Sequence, residues 1–326
     1  MSQASRRRFL TAAGILLAKP DAIAQQAQRV YRIGYLGATS PSARLHLDAL
    51  LDALRRLGYV EGRNLAIEAR WANGNLASLP ALARSLVALK VDVIYTSGTP
   101  ASLAAKQATS TIPIVFGSLA FPDKTGLVAS IARPGGNLTG TAFLGPEYGK
   151  RLELLREVSP RLASVALLYP DKNPASVLAM EETQRWAKRL GITLRPYGIR
   201  GSDGFETAFA AITRDRPGAL MTTADPLITS HREQIVAFAV KNRLLSIFPI
   251  PEIVEAGGLM SYGQSISAML GQTALLIDRI LKGARPADLP VEQPIKFDLV
   301  VNLKAAKSLG ISIPSSIMLR ADRMIE

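Results

Sequence analysis

One unit recurs through this chain: a short β-branched strand, a small polar turn, a proline, and a helix. It occurs at Pro41, Pro100, Pro174 and Pro226. Pro41 and Pro174 lie 133 residues apart, as do the Leu57-Gly58 and Leu190-Gly191 pairs that close the helices they open. Pro100 and Pro226 are separated by 126, so a small deletion lies between the two registers. Four matches in consistent order point to an internal duplication of a doubly wound unit. Strands are expected over 29–37, 64–70, 91–95 and 112–116 in the first half, and over 164–169, 192–197, 219–223 and 244–248 in the second. A helix is expected over 125–132 and another from Pro226 to Asn242. Extended passages near 138–146, 257–263 and 290–296 read as three crossings. The expected fold class is α/β: two similar doubly wound parallel-sheet lobes joined by three crossover segments. Their spans are 29–143 plus 261–290 for lobe I, and 145–258 plus 292–326 for lobe II.

Length supports this division, since 326 residues suffice for two domains of about 150 each. Apolar residues make up 48% of the chain, which with alternating elements means a packed core. There is no cysteine, which excludes disulfides, thiolate catalysis and cysteine-ligated metals. His46 and His231 are the only histidines, leaving little scope for a histidine metal site.

The first 24 residues read as an export signal. Ser5-Arg6-Arg7-Arg8-Phe9-Leu10 fits the twin-arginine pattern, Thr11 to Ala18 is a short apolar core, and Ala22-Ile23-Ala24 is a small-residue cleavage site. That core is far shorter than the roughly 20 residues of a spanning helix. The expectation is a signal peptide cut near Ala24 and a periplasmic mature protein. The formal charge of +13 owes three units to this segment. The remaining arginines are dispersed, so the charge fits solubility better than a nucleic-acid surface.

Catalytic signatures come close and fail. Leu259-Met260-Ser261-Tyr262-Gly263 lacks the first glycine of a nucleophile elbow, and no histidine follows it. Gly135 to Gly140 has no lysine where a P-loop needs one, and Gly34-Tyr35-Leu36-Gly37 lacks dinucleotide-binding spacing. The expectation is a non-enzyme with no cofactor and no metal.

What remains is a cleft lined by turns at the carboxyl ends of parallel strands, where open α/β sheets hold ligands. Val91 to Tyr95 leads into Thr96-Ser97-Gly98-Thr99, and Pro100 then takes an early helical position with Thr99 as cap. The candidate ligand-binding residues are Thr39, Ser40, Ser97, Thr99 and Phe121 from the first lobe, with Asn173, Asp225 and Tyr262 from the second lobe and hinge. Hydroxyls and helix-end N–H groups suit a carboxylate, an ionised Asp225 suits an ammonium, and Phe121 and Tyr262 offer flat apolar surfaces. Each also has a purely structural reading: Ser97, Thr99 and Asp225 as helix caps, Phe121 and Tyr262 as core.

Several segments carry a family resemblance. They are Gly126-Leu127-Val128, Arg133-Pro134-Gly135-Gly136-Asn137-Leu138-Thr139-Gly140, Glu255 to Gly263, and Ile280 to Pro294. With these the mature chain resembles the substrate-binding proteins of ABC importers that include tryptophan-binding and related aromatic amino-acid-binding members, with a type I periplasmic-binding-protein fold. The resemblance implies capture of a small, carboxylate-bearing ligand by hinge closure and delivery to an inner-membrane ABC permease. It implies that Ser97, Thr99 and Asp225 sit where relatives contact ligand; a monomer that binds no nucleic acid is expected. One departure is that the loop after the fourth strand reads Ala120-Phe121-Pro122-Asp123, where relatives carry an Asp-Pro pair. The competing classes are a ligand-sensing regulator, for which only 28 residues precede the first strand, and a glycosyl or nucleotide transferase on the same sheets.

Overall fold

The computed structural model describes residues 29–41, 44–143, 145, 147–293 and 296–326. The export segment therefore lies outside the described residues. The first lobe is built from β1 (Tyr31–Gly37), α1 (Leu45–Arg56), β2 (Leu65–Trp71), α2 (Leu79–Ala88), β3 (Val93–Ser97), α3 (Thr99–Ala108), β4 (Ile114–Ala120) and β5 (Leu138–Phe143). The second repeats the alternation with α4 (Glu147–Val158), β6 (Ser164–Pro170), α5 (Pro174–Arg189), β7 (Thr193–Ile199), α6 (Gly204–Asp215), β8 (Ala219–Thr222), α7 (Pro226–Ser230), α8 (Arg232–Lys241), β9 (Leu245–Phe248), α9 (Pro251–Glu255) and β10 (Met260–Gln264). The tail adds α10 (Ile266–Leu281), β11 (Phe297–Asn302), α11 (Leu303–Leu309), α12 (Ser315–Met318) and β12 (Arg323–Ile325).

The duplication is visible in the strand order. The first sheet runs β2-β1-β3-β4-β5, all parallel, and the second contains the same order as β7-β6-β8-β9-β10. Antiparallel β11 and then β12 extend the second sheet beyond β10. Both faces of each sheet are covered, which is why the strands are apolar without alternation. In β3, Val93 and Tyr95 pack with α1 and α10 while Ile94 packs with α2 and α3. In β6, Val165 and Leu167 face one cluster and Ala166 and Leu168 the other.

The chain leaves the first sheet after β5, leaves the second after β10, and rejoins the second at β11. Helix α10 returns to the first lobe, where Leu270, Ala274 and Ile277 join the core around Leu50 and Leu54. Tyr59 donates to Asp278 at 2.8 Å, and the hydroxyls of Thr141 and Thr273 meet at 3.1 Å. The second crossing differs from the sequence expectation by a few residues. Met260 and Ser261 pair with Ile247 and Phe248, and the whole of β10 pairs with β11, so 261–264 belong with the second lobe.

Two local expectations are corrected. No helix forms over 125–132: Gly126 has φ +72°, and the N–H groups of Leu127 and Val128 both turn back to the carbonyl of Pro122. The helix expected from Pro226 to Asn242 is broken at His231 into α7 and α8. Strand β4 is also longer than its apolar run. It continues to Ala120 through a register shift between Phe116 and Leu119, with Ser118 at φ +56°.

The glycines of the Arg133–Gly140 segment differ in what they permit. A β-carbon on Gly140 would overlap the carbonyl oxygen of Phe116, whereas one on Gly136 meets nothing within 4 Å. Gly140→Ala is expected to lower the thermal midpoint by the equivalent of about 1–3 kcal/mol of overpacking or more. Gly136→Ala serves as a near-neutral control, with both midpoints read by differential scanning calorimetry.

Candidate functional site

The carboxyl ends of β1, β3 and β4 face those of β6, β8 and β9 across the cleft, and the turns after them enclose a cavity of about 80 Å³. Thr39, Ser97 and Thr99 line it from the first lobe, and Asn173 and Asp225 from the second. A second cavity of about 480 Å³ adjoins the first and shares Thr39, Asn173, Asp225 and Pro226 with it; Ser40 lines this second one. Between the two chambers the lobes touch. A β-carbon built on Gly98, whose φ is +92°, would stand 2.9 Å from Cγ of Pro226. Only glycine meets both requirements, a left-handed backbone and close approach of the opposite lobe.

The turn at Gly98 determines what the first lobe presents. Gly98, not Thr99, is the cap of α3, and among the described residues no side chain bonds to the helix's free N–H groups. Thr99 is its first residue and is 2% exposed. Ser102 instead braces the turn, donating to the carbonyl of Gly98 at 3.0 Å and meeting Thr96 at 2.7 Å. The positive end of a ten-residue helix therefore lies open at the cavity wall. Tyr35 lies beneath it, and burial raises its phenol above the ordinary value although Ser97 hydrogen-bonds to it.

The second lobe is built the opposite way at α5 and α7, whose ends are already capped. The side-chain oxygen of Asn173 accepts from the N–H of Ala175 at 3.0 Å, and Oδ1 of Asp225 accepts from Leu227 at 2.8 Å. Oδ2 of Asp225 accepts from Asn173 at 2.6 Å and from Ser176 at 3.1 Å. Asp225 is 8% exposed, and no cation is among the groups acting on it. Burial raises its carboxyl above the usual range, against the opposing pull of its three hydrogen bonds. Across the cleft lie an uncapped helix end and a buried, unpaired carboxylate.

Phe121 and Tyr262 do not join this cavity. Phe121, at φ +51°, turns its ring onto Tyr148 with centroids 6.2 Å apart and takes Lys124 on its face. Tyr262 stacks on Phe297 at 5.4 Å and packs against the core of the second lobe. Strand alternation places it on the same face of the sheet as Met260, in the second lobe's core. The apolar wall comes instead from residues such as Leu119, Phe143 and Ile250.

Sequence reasoning also missed His46 on α1, Arg232 on α8 and Glu252 on α9, all in the cavity wall. Glu252 carried a readable signal, because β9 is followed by Pro249-Ile250-Pro251 and a helix, a fifth instance of the recurring unit. Burial lowers the imidazole of His46, while Glu252 across the cleft raises it less. Among the described residues no group of three or more His, Asp or Glu is placed to hold a metal ion.

The lowered imidazole gives a pH dependence with a definite sign. Folded His46 stays neutral where the unfolded chain begins to bind a proton, near pH 6.5 or about there. Its contribution to stability is whole above that pH and is lost as pH falls from there toward the lower folded value. Between pH 7.5 and 5.5 the thermal midpoint is expected to fall more for the native sequence than for His46→Gln, and equal slopes would contradict this.

The chain matches the family model described as ABC transporter substrate binding protein over residues 38–325. It is 26% identical over 272 residues to a tyrosine-binding protein of Clostridioides difficile, covering 83% of this chain and 78% of that one. Among solved structures, a conserved domain protein from Vibrio cholerae O1 biovar eltor is similar at 30% identity with a TM-score of 0.86, covering 91% of this chain and all of the other. A domain of an ABC system from Streptococcus pneumonia, solved in complex with L-Trp, is similar at 26% identity with a TM-score of 0.85 over the same shares. A leucine-binding protein from Thermotoga maritima shares the fold at 15% identity and a TM-score of 0.60. With two duplicated lobes enclosing a cavity lined from both sides and a family match across nearly all of the described chain, this protein belongs to the ABC transporter substrate-binding proteins, a family that binds ligands and is not enzymatic.

Proposed function

We propose that this protein is the periplasmic component of an ABC importer that captures a small zwitterionic, amino-acid-like ligand between its lobes. The observation that carries the reading is Asp225: a carboxylate held out of water by three hydrogen bonds, without a cation, facing an uncapped helix end. A ligand ammonium on Asp225 and a ligand carboxylate at Ser97 and Thr99 would complete both sides at once. The tyrosine-binding and tryptophan-bound relatives support that choice of ligand class. Closure brings Gly98 against Pro226, and opening about the three crossings admits the solute.

The twin-arginine segment supports export, and no described helix is long and apolar enough to cross a membrane. In this reading the closed monomer is the form that docks on an inner-membrane permease. Asp225→Asn removes the charge and keeps the cap on α7, while its amide nitrogen then faces the donors of Asn173 and Ser176 that Oδ2 accepts from. Its affinity for the tightest amino acid of a calorimetric panel is expected to drop about ten-fold or more, in a variant whose thermal midpoint, lowered by that mismatch, still shows it folded. Unaltered affinity in a folded variant would count against the reading.

A further inference from the structure

The α9 side of the cavity holds a carboxylate that the protein leaves unanswered. Glu252 sits in the first turn of α9 and lines the interlobe cavity. Its Oε2 is shut off from solvent and has no hydrogen-bond partner among the described residues. A buried acceptor of this kind is costly unless something supplies a donor. The neighbouring residues do not. His46 faces it from α1, but burial keeps that imidazole below its ordinary value, so it is no standing cation. Arg232 gives Nη1 to the carbonyl of Thr229 at 3.3 Å and lies 3.8 Å from Glu233.

Asp225 and Glu252 follow β8 and β9, which are paired neighbours in the sheet. Strands so paired lie about 4.8 Å apart, so the two carboxylates address different parts of one small ligand. We infer that Glu252 is a specificity-determining residue that accepts a hydrogen bond from the distal end of the ligand's side chain. The preferred ligand is then an amino acid ending in a hydroxyl or a protonated nitrogen, not in a hydrocarbon. This rests on the reading in which Asp225 holds the α-ammonium.

The test is titration calorimetry with two matched pairs, tyrosine against phenylalanine and lysine against norleucine. In at least one pair the donor-bearing member is expected to bind about ten-fold tighter or more. Glu252→Met, of similar length but with no oxygen, is expected to bring that ratio near one while preserving affinity for the hydrocarbon member. Glu252→Gln separates the two donor types: it keeps an acceptor for a phenol and removes the charge that favours an ammonium. Equal binding within both pairs by the native protein would overturn the inference without recourse to any variant. So would a ratio that survives Glu252→Met in a protein whose thermal midpoint shows it folded. If no amino acid binds, the zwitterion reading itself fails. If amino acids bind through Asp225 without preference for a distal donor, only the role of Glu252 falls.

Discussion

Asp225 performs two tasks with one carboxylate. Oδ1 caps α7 through the N–H of Leu227, and Oδ2 gathers Asn173 and Ser176 from the neighbouring strand-end turn. The first task fixes the position of Pro226, the residue that meets Gly98 of the opposite lobe. The second ties α5 to α7, so the two helix ends of the second lobe move as one wall. Its cost is a buried charge, seen as the raised affinity of that carboxyl for a proton. In the proposed reading a ligand's cation relieves this cost, and a ligand that also reaches the helix end of the first lobe biases the lobes toward closure.

The strand order is what brings such a residue to the cleft. Both lobes repeat the arrangement 2-1-3-4-5, so the turns after β1, β3 and β4 of one lobe meet those after β6, β8 and β9 of the other at one cavity. Three crossings hold the two sets of turns in opposition, and the lobes meet again where Gly98 approaches Pro226. The first lobe contributes an uncapped helix end and the second contributes carboxylates, an asymmetry the duplication did not preserve. The β4 turn adds strain, with Ser118 in the left-handed region at the cavity wall. Backbone strain of this sort gathers where a ligand is gripped.

Most of the architecture was legible because proline and glycine punctuate it. Pro41, Pro100, Pro174 and Pro226 mark strand-end turns, and their spacing revealed the repeat. What escaped was set by tertiary pairing. Nothing in Met260 to Gln264 tells which sheet will accept it, and Gly126 stops a helix that the flanking residues favour. The structure places Thr39, Ser97, Thr99, Asn173 and Asp225 in one cavity wall, since turn position alone determines where they lie. Phe121 and Tyr262 point elsewhere because their direction depends on a left-handed φ and on strand register, neither readable from residue type. His46 was hidden for a different reason, since it acquires meaning only when the other lobe faces it, whereas Glu252 was within reach of the same proline punctuation at Pro251.

The central claim is that the cavity takes both ends of a zwitterion at once. Titration calorimetry of the tightest-binding amino acid beside its N-acetyl and methyl-ester derivatives tests it most directly, because each derivative removes one charge and leaves the side chain intact. The account predicts measurable binding for the free amino acid and loss of about ten-fold or more for each derivative. An N-acetyl form that binds as tightly as the parent, or a panel in which no amino acid binds, would contradict it.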